Sequence, residues 1–398
     1  MKGKISFSLT QSVSLLLALL LIAGLALAYH QATAQEGGRK IVTWQTGLNQ
    51  AAKDQLLAKY GAIKLKDLSS VNGSAVWLPS KASEKALGRQ SGVTKVEEDA
   101  LVSALGKPAP ALQPSQVLPW GVDRVEADLV WLSGNTGDPV RVAVVDTGIS
   151  KDHPDLKENI KGGYNTINPT RSWDDDNGHG SHVAGIVAAL NNSIGAVGVG
   201  PAVDLLAVKV LRKDGSGFTS DVIEGIDWAV QNGAQVINLS LGSTSDIQAM
   251  HDAVKAAHDA GTVVVAAAGN NGGAVIYPAA YPEVLAVSAT DQNNLLASWS
   301  SRGPEVDLSA PGVSIYSTYL GTGYATLSGT SMATPHVTGA AALVLNTPVG
   351  TYDTNNNGKW DPTEVQQKLQ DRATDLGDPG FDNLYGWGLL NAWNATQP

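Results

Sequence analysis

The chain has 398 residues, 43% of them hydrophobic, which excludes a wholly disordered polymer and leaves room for two or three domains of roughly 100–200 residues each. It has no cysteine, so disulfides, thiolate metal sites and cysteine nucleophiles are excluded together. The formal net charge of −10 argues against nucleic acid as a partner, and it is unevenly spread: 13 Lys/Arg stand against 7 Asp/Glu in residues 1–114, and 14 against 30 in residues 115–398.

In chain order, Lys2 and Lys4 precede an uncharged apolar run at 13–28, and Ala26-Leu27-Ala28 and Ala32-Thr33-Ala34 supply small-residue cleavage signals. This is the layout of an export signal. At 16 residues the run is shorter than the roughly 20 that span a bilayer. Residues 1–34 are therefore expected to be a signal peptide that ends near Ala34, leaving a secreted protein without membrane attachment.

Residues 39–103 read as β-α-β-β-α-β, with strands at 41–46, 63–68, 73–78 and 93–101 and helices at 51–60 and 82–89. Such a split βαβ unit is a small ferredoxin-like α+β fold. The stretch KPAPALQPSQVLP that begins at Lys107 holds four prolines. It is neither a helix nor a central strand, and reads as an exposed, protease-sensitive linker.

Further on, apolar runs at 141–146, 205–211, 236–241, 263–269 and 284–289 look like strands buried on both faces. They alternate with helix-like segments at 181–190, 219–231 and 247–260. The alternation predicts an α/β fold with a doubly wound, mostly parallel sheet. Its site should lie outside the carboxyl ends of the strands, where Asp146, Ser240 and Asn270 fall.

Asp146 ends the first run, His179 sits in Asn177-Gly178-His179-Gly180 at a helix start, and Ser331 sits in Gly329-Thr330-Ser331-Met332 entering another helix. Acyl transfer needs a hydroxyl that a histidine can deprotonate, an acid that fixes the imidazole, and donors for the oxyanion. The Ser331 amide at a helix N-terminus is one such donor. The Asn270 side chain is the candidate for the other.

The motifs VAVVDTGI, DDDNGHGSHVAG, AAAGNNG and GTSMATPHVTGAAAL, in that order, resemble those of the subtilisin-like serine proteases. The resemblance covers roughly residues 115–345, with a further match at Tyr385–Asn391. It implies a serine endopeptidase acting on polypeptides, with Asp146, His179 and Ser331 as triad and Asn270 completing the oxyanion hole. A binding protein on a dead protease fold would have lost one of these, and a serine-carboxyl protease would replace His179 with Glu and Asn270 with Asp. The small domain resembles the family's propeptide, which assists folding and then plugs the site. Its expected span is 35–114, followed by a peptidase domain at 115–398. Opposite charge favours docking of the two parts. Self-cleavage is expected in the linker, with the mature chain starting near Ser115 or cut a few residues earlier, because Pro114 precedes that bond. A monomer is expected.

The resemblance also implies substrate subsites. Ser240-Leu241-Gly242 and Gly215-Ser216-Gly217 would flank an extended peptide as added strands. Ser240 to Gly242, Ala267, Ala268, Gly269 and Ile276 would wall the main pocket. Ile276 stands where well-known members carry glycine, and Asn271 replaces an acid, so a broad apolar preference is expected.

Two Ca²⁺ sites are expected. The first rests on resemblance: side chains of Gln116, Asp155 and Asn192 with carbonyls of Leu190, Ile194 and Ala196. The second is read from spacing. Asp353, Asn355, Asn357, Lys359, Asp361 and Glu364 fill the oxygen positions of an EF-hand-like loop at 353–364, and Gly358 makes its sharp turn. A helix is predicted at 365–372, while Pro348 excludes a regular entering helix. The run Asp174-Asp175-Asp176 reads as a solvated acidic loop.

Overall fold

The computed structural model describes residues 37–104, 107–111 and 115–398. The expected signal peptide and the bond after Pro114 lie outside the described residues. The chain divides into two compact units, one of residues up to Asp67 with Asn72–Glu98, the other of Leu68–Val71 with Asp99–Pro398.

In the first unit β1 (Gly38–Trp44), α1 (Gln50–Lys59), β2 (Ile63–Leu68), β3 (Gly73–Leu78), α2 (Lys81–Leu87) and β4 (Val93–Glu98) follow one another. The sheet order is β2-β3-β1-β4, with β1 antiparallel to β3 and β4. This is the predicted ferredoxin-like arrangement. Asn49 and Ser80 cap the two helices, each side chain accepting from a first-turn N–H, which fixes where the helices start. Val42, Trp44, Leu57, Val76, Leu78, Leu87 and Val93 form the core.

The predicted strand at 93–101 is broken. It stops at Glu98 and resumes as β5 (Leu101–Ala104), which belongs to the second unit. The stretch read as a bare linker also contains a strand, β6 (Lys107–Ala111). Its prolines, 108 and 110, sit at alternate positions, so the N–H groups of Lys107, Ala109 and Ala111 all lie on one side. A proline-bearing strand of this kind is restricted to a sheet edge.

The second unit continues with α3 (Trp120–Arg124), α4 (Ala127–Trp131), β7 (Arg141–Asp146), β8 (Ile160–Asn165), α5 (His179–Ala188), β9 (Asp204–Lys209) and β10 (Ser216–Phe218). Then come α6 (Thr219–Gln231), β11 (Val236–Leu239), β12 (Leu241–Gly242), α7 (Gln248–Asp259), β13 (Val263–Ala267) and β14 (Val284–Thr290). The last elements are β15 (Leu308–Pro311), β16 (Ile315–Thr318), β17 (Tyr324–Ser328), α8 (Thr330–Leu345), α9 (Pro362–Asp371) and α10 (Ala392–Thr396).

Seven strands form one sheet in the order β15-β14-β13-β11-β7-β9-β8, every neighbouring pair parallel. All five apolar runs predicted as strands are in it. The edge strands β8 and β15 escaped prediction because Ile160-Lys-Gly-Gly-Tyr-Asn and the short Leu-Ser-Ala-Pro carry no long apolar run. Two three-stranded sheets stand beside it, β10-β5-β12 and β16-β17-β6.

The helix that carries Ser331, α8, is buried from Thr330 to Val344. Pro335 lies in its second turn and removes the hydrogen bond that would close on the Ser331 carbonyl. The Ser240 hydroxyl supplies the missing donor to that carbonyl, at 2.9 Å. The proline therefore frees an acceptor that ties the helix start to the strand end beside it.

Candidate active site

Because the sheet is parallel, the carboxyl ends of β7, β11 and β13 share one edge. Asp146 ends β7, Ser240 follows β11, and Asn270 lies three residues beyond β13. The N-termini of α5 and α8 bring His179 and Ser331 to the same edge.

Asp146 is fully buried and accepts from the Thr147 N–H at 2.6 Å. His179 Nδ1 lies 2.8 and 2.9 Å from its two carboxylate oxygens. A carboxylate only accepts, so the ring donates from Nδ1, and a neutral imidazole then presents Nε2 as a base. The neighbouring His182 does not compete for protons, since burial and the nearby His179 push it down to about 3. Gly180 is required by close approach: a Cβ there would meet the Gly148 carbonyl oxygen at 2.2 Å.

The Ser331 hydroxyl donates to the Ser240 carbonyl at 3.0 Å, reciprocating the bond from Ser240. Asn270 Oδ1 accepts from the Thr330 N–H at 2.9 Å and from Thr330 Oγ1 at 2.8 Å. Those two bonds fix the amide plane and leave Nδ2 as the donor end. In the first turn of α8 the Thr330 N–H is taken by Asn270 and the Met332 N–H by the Gly329 carbonyl. The Ser331 N–H lies between them in the first turn, where a helix leaves its N–H groups without partners of its own. The arrangement holds a hydroxyl, a base oriented by a carboxylate, and two donors suited to a developing oxyanion.

Sequence reasoning missed two supports. Asp175 was read as solvated but is buried. It accepts from the Asn177 N–H (2.9 Å), Gly178 N–H (3.0 Å), Ser181 N–H (3.0 Å), Ser181 Oγ (2.6 Å) and Thr147 Oγ1 (2.9 Å). A carboxylate at a helix start satisfies donors that the helix itself cannot, and here it holds the turn that carries His179. Lys209 is the second. Its buried Nζ donates to the carbonyls of Thr147 (2.8 Å) and Leu211 (2.9 Å) and to Asp176 (2.6 Å). A lysine closing the apolar run LLAVK, together with three consecutive acids, was the available signal.

The expected subsite segments flank an occupied track. β5 runs antiparallel between β10 and β12, with Ser103 opposite both Ser216 and Gly242, Val102 opposite Gly217, and Ala104 opposite Leu241. Gly215 lies in the turn just before β10, outside that ladder. The side chain of Val102 is buried, 2% exposed. Asp99 anchors the approach, accepting from the Ser220 N–H at 2.9 Å and Ser220 Oγ at 2.7 Å at the start of α6. Ile276 is buried, and its N–H donates to the Ala268 carbonyl at 3.0 Å. Its side chain packs against both Gly242 and Gly269. Ala267, at the end of β13, and Ala268 are fully buried.

The first set of calcium candidates forms one cluster. Asp155, fully buried, accepts from Asn192 Nδ2 (2.6 Å), the Ala196 N–H (3.1 Å) and the Tyr324 hydroxyl (2.7 Å). Gln116 Nε2 donates to the Leu190 carbonyl at 2.9 Å, and the Ile194 N–H donates to Asn192 Oδ1 at 2.7 Å. Backbone bridges pair Ser115 with Ile194 and Val117 with Ala196.

In the second set, Asp353 accepts from the Asn357 and Gly358 N–H groups, both at 3.0 Å, and Asp361 accepts from the Asn355 and Asn357 side chains. The Lys359 N–H donates to Asn357 Oδ1 at 2.7 Å. Gly358 has φ 74°, as its sharp turn requires. Glu364 accepts from the Thr354 N–H at 2.8 Å and the Asp361 N–H at 3.0 Å, the latter closing a capping box on α9. That helix begins at Pro362, earlier than the predicted 365. Among the described residues no three His, Asp or Glu side chains meet as a metal group. Among the same residues no helix is long and apolar enough to cross a membrane.

The Subtilase family matches residues 137–388. A relative named Subtilisin Savinase from Lederbergia lenta is 50% identical over 284 residues, covering 71% of this chain and 100% of the relative. An alkaline protease from Shouchella clausii is 48% identical over 313 residues, 78% of this chain and 76% of its own length. Subtilisin E from Bacillus subtilis is 40% identical over 400 aligned residues, covering 97% of this chain and 98% of its own. Together with a seven-stranded parallel sheet whose carboxyl edge gathers Asp146, His179 and Ser331, these matches establish that the chain belongs to the subtilase family of serine endopeptidases.

Proposed function

We propose that Ser331 is the nucleophile, His179 the general base and acid, Asp146 the residue that orients His179, and the Ser331 N–H with Asn270 Nδ2 the oxyanion donors. The observation that carries this reading is the Asp146–His179 pair at 2.8 Å, set at the same sheet edge as the buried helix start bearing Ser331. The Ser331 hydroxyl turns from the Ser240 carbonyl, gives its proton to His179 Nε2 and attacks the scissile carbonyl. The imidazolium then protonates the leaving amine. Water repeats the sequence on the acyl-enzyme.

The chain is made as a secreted, self-processing precursor, and the strand registers support a specific bond. β5 ends with Ala104 opposite Leu241, and β6 begins with Lys107 opposite Ser328. These two strands flank residues 105 and 106 in sequence, and the reading puts the cut at the bond between those residues, earlier than the expected position near Ser115. The segment before the cut is the inhibitor, its strand β5 lying between β10 and β12 as a bound peptide would. The buried Val102 supports an apolar preference four residues before the cut, and Ile276 supports one in the main pocket.

The Gln116–Asp155–Asn192 cluster and the 353–364 loop each hold one Ca²⁺ through oxygen donors. Neither ion takes part in the chemistry. Each binds only the folded chain and so stabilises it, in a protein without disulfides. The enzyme works as a monomer on polypeptides.

Full-length chain should mature alone and yield a new N-terminus at Gly106, while Ser331→Ala stays uncut. A Ser331→Ala protein that matures without added protease refutes self-processing. A different new N-terminus refutes the bond.

A further inference from the structure

Three aromatic rings form a column that links α7 to the main pocket. His251, half-buried on α7, stacks on Tyr281 with ring centroids 4.3 Å apart and planes 3° from parallel. Tyr281 packs in turn on Tyr277, with centroids 4.9 Å apart. His251 Nε2 lies 2.9 Å from Glu283 Oε2, which fixes the orientation of the imidazole. The Tyr281 side chain is buried, and its hydroxyl accepts from the Ile247 N–H at 3.2 Å and lies 2.9 Å from the Ile247 carbonyl and 3.1 Å from Asp246 Oδ1. Tyr281 is thus held at its hydroxyl by the residues that enter α7, and on one face by His251.

The pocket end is tied as firmly. The Ala280 N–H donates to the Ile276 carbonyl and the Tyr281 N–H to the Pro278 carbonyl, both at 3.0 Å. These bonds close residues 276–281 into one turn, so a shift of Tyr281 carries Ile276 with it. Tyr277 exchanges two backbone bonds, both at 2.9 Å, with Ser243, the residue after β12. The geometry points to His251 as a positioning residue that sets side-chain specificity. By pinning Tyr281 it keeps Ile276 against Gly242 and Gly269, and so limits the depth of the pocket that receives the side chain before the scissile bond. The proposal rests on the reading of Ile276 as a wall of that pocket. Close-packed groups pass a displacement on because there is little free volume to absorb it. Without the imidazole, the turn relaxes toward the vacated space and the pocket admits larger side chains.

The test uses matured enzyme and two quenched peptides that differ only in the residue before the scissile bond, alanine or phenylalanine. The ratio of kcat/KM for the phenylalanine peptide to that for the alanine peptide cancels the fraction of active enzyme, so a general loss of stability does not move it. His251→Ala should raise this ratio at least about fivefold, less than the roughly tenfold or more that a whole methylene of pocket is worth. Ile276→Ala, which opens the wall directly, should raise it further. His251→Phe keeps a flat ring on Tyr281 and should hold the ratio near that of the parent. If Ile276→Ala leaves the ratio unchanged, the pocket reading itself fails. If Ile276→Ala raises it and His251→Ala does not, or if His251→Phe behaves like His251→Ala, the column does not set the pocket.

Discussion

Asp175→Ala removes the acceptor for five donors at the turn carrying His179. The Asn177 N–H is half-buried and water can reach it, whereas those of Gly178 and Ser181 belong to buried residues. Orphaning two buried donors at roughly 1–3 kcal/mol each, and losing a negative charge at a helix start worth about 0.3–1 kcal/mol, gives an expected cost of about 2–7 kcal/mol. Asp175→Asn keeps one acceptor oxygen but turns an NH₂ toward the Ser181 N–H, so a cost of about 1–3 kcal/mol is expected. Urea unfolding of each variant in a Ser331→Ala background measures this without autolysis. In active enzyme, His179 should lose its position and kcat should fall on the order of 10²-fold, with KM for a short peptide little changed. If Asp175→Ala stays within 1 kcal/mol of its parent and keeps kcat, the claim that this carboxylate builds the site is wrong.

Asn270→Ala should lower kcat by about 10²–10³, the loss known for the oxyanion asparagine of subtilisin, with KM preserved; a loss confined to KM would remove Asn270 from the oxyanion hole. Asp307 is half-buried, and desolvation of its carboxylate raises it from 3.8 to about 6 despite bonds from the Ala286 N–H, Gln366 and Gln370. The unfolded chain thus ionises first, and stability falls as pH rises from about 4 through 6. Relative to wild type, Asp307→Asn should gain at most about 3 kcal/mol between pH 4 and pH 7, and a flat difference in unfolding free energy would refute the burial argument. For calcium, Asp353→Ala combined with Glu364→Ala should lower bound calcium by one ion per chain and reduce the effect of EDTA on the melting temperature. Unchanged stoichiometry would remove the second site.

The sequence by itself determined the parts whose physics is local. Apolar runs such as Val142–Val145 and Val263–Ala267 sit inside a sheet covered on both faces, so composition alone announced them. Asp146, His179, Asn270 and Ser331 were legible because chemistry needs those residue types at strand ends and helix starts. Tertiary structure decided everything that depends on a distant partner. Nothing local distinguishes Asp175 from Asp174 or Asp176. Only the fold buries one and surrounds it with donors, among them Thr147, 28 residues earlier in the chain. The four prolines after Lys107 correctly excluded a helix and a central strand, but the edge that receives β6 is more than 200 residues away in sequence. Pro335 removes a helix hydrogen bond by a purely local rule, yet the carbonyl it frees is the acceptor for Ser240, 91 positions earlier. Local propensity is written in neighbouring residues. The partner of a buried polar group is fixed only when the chain closes on itself.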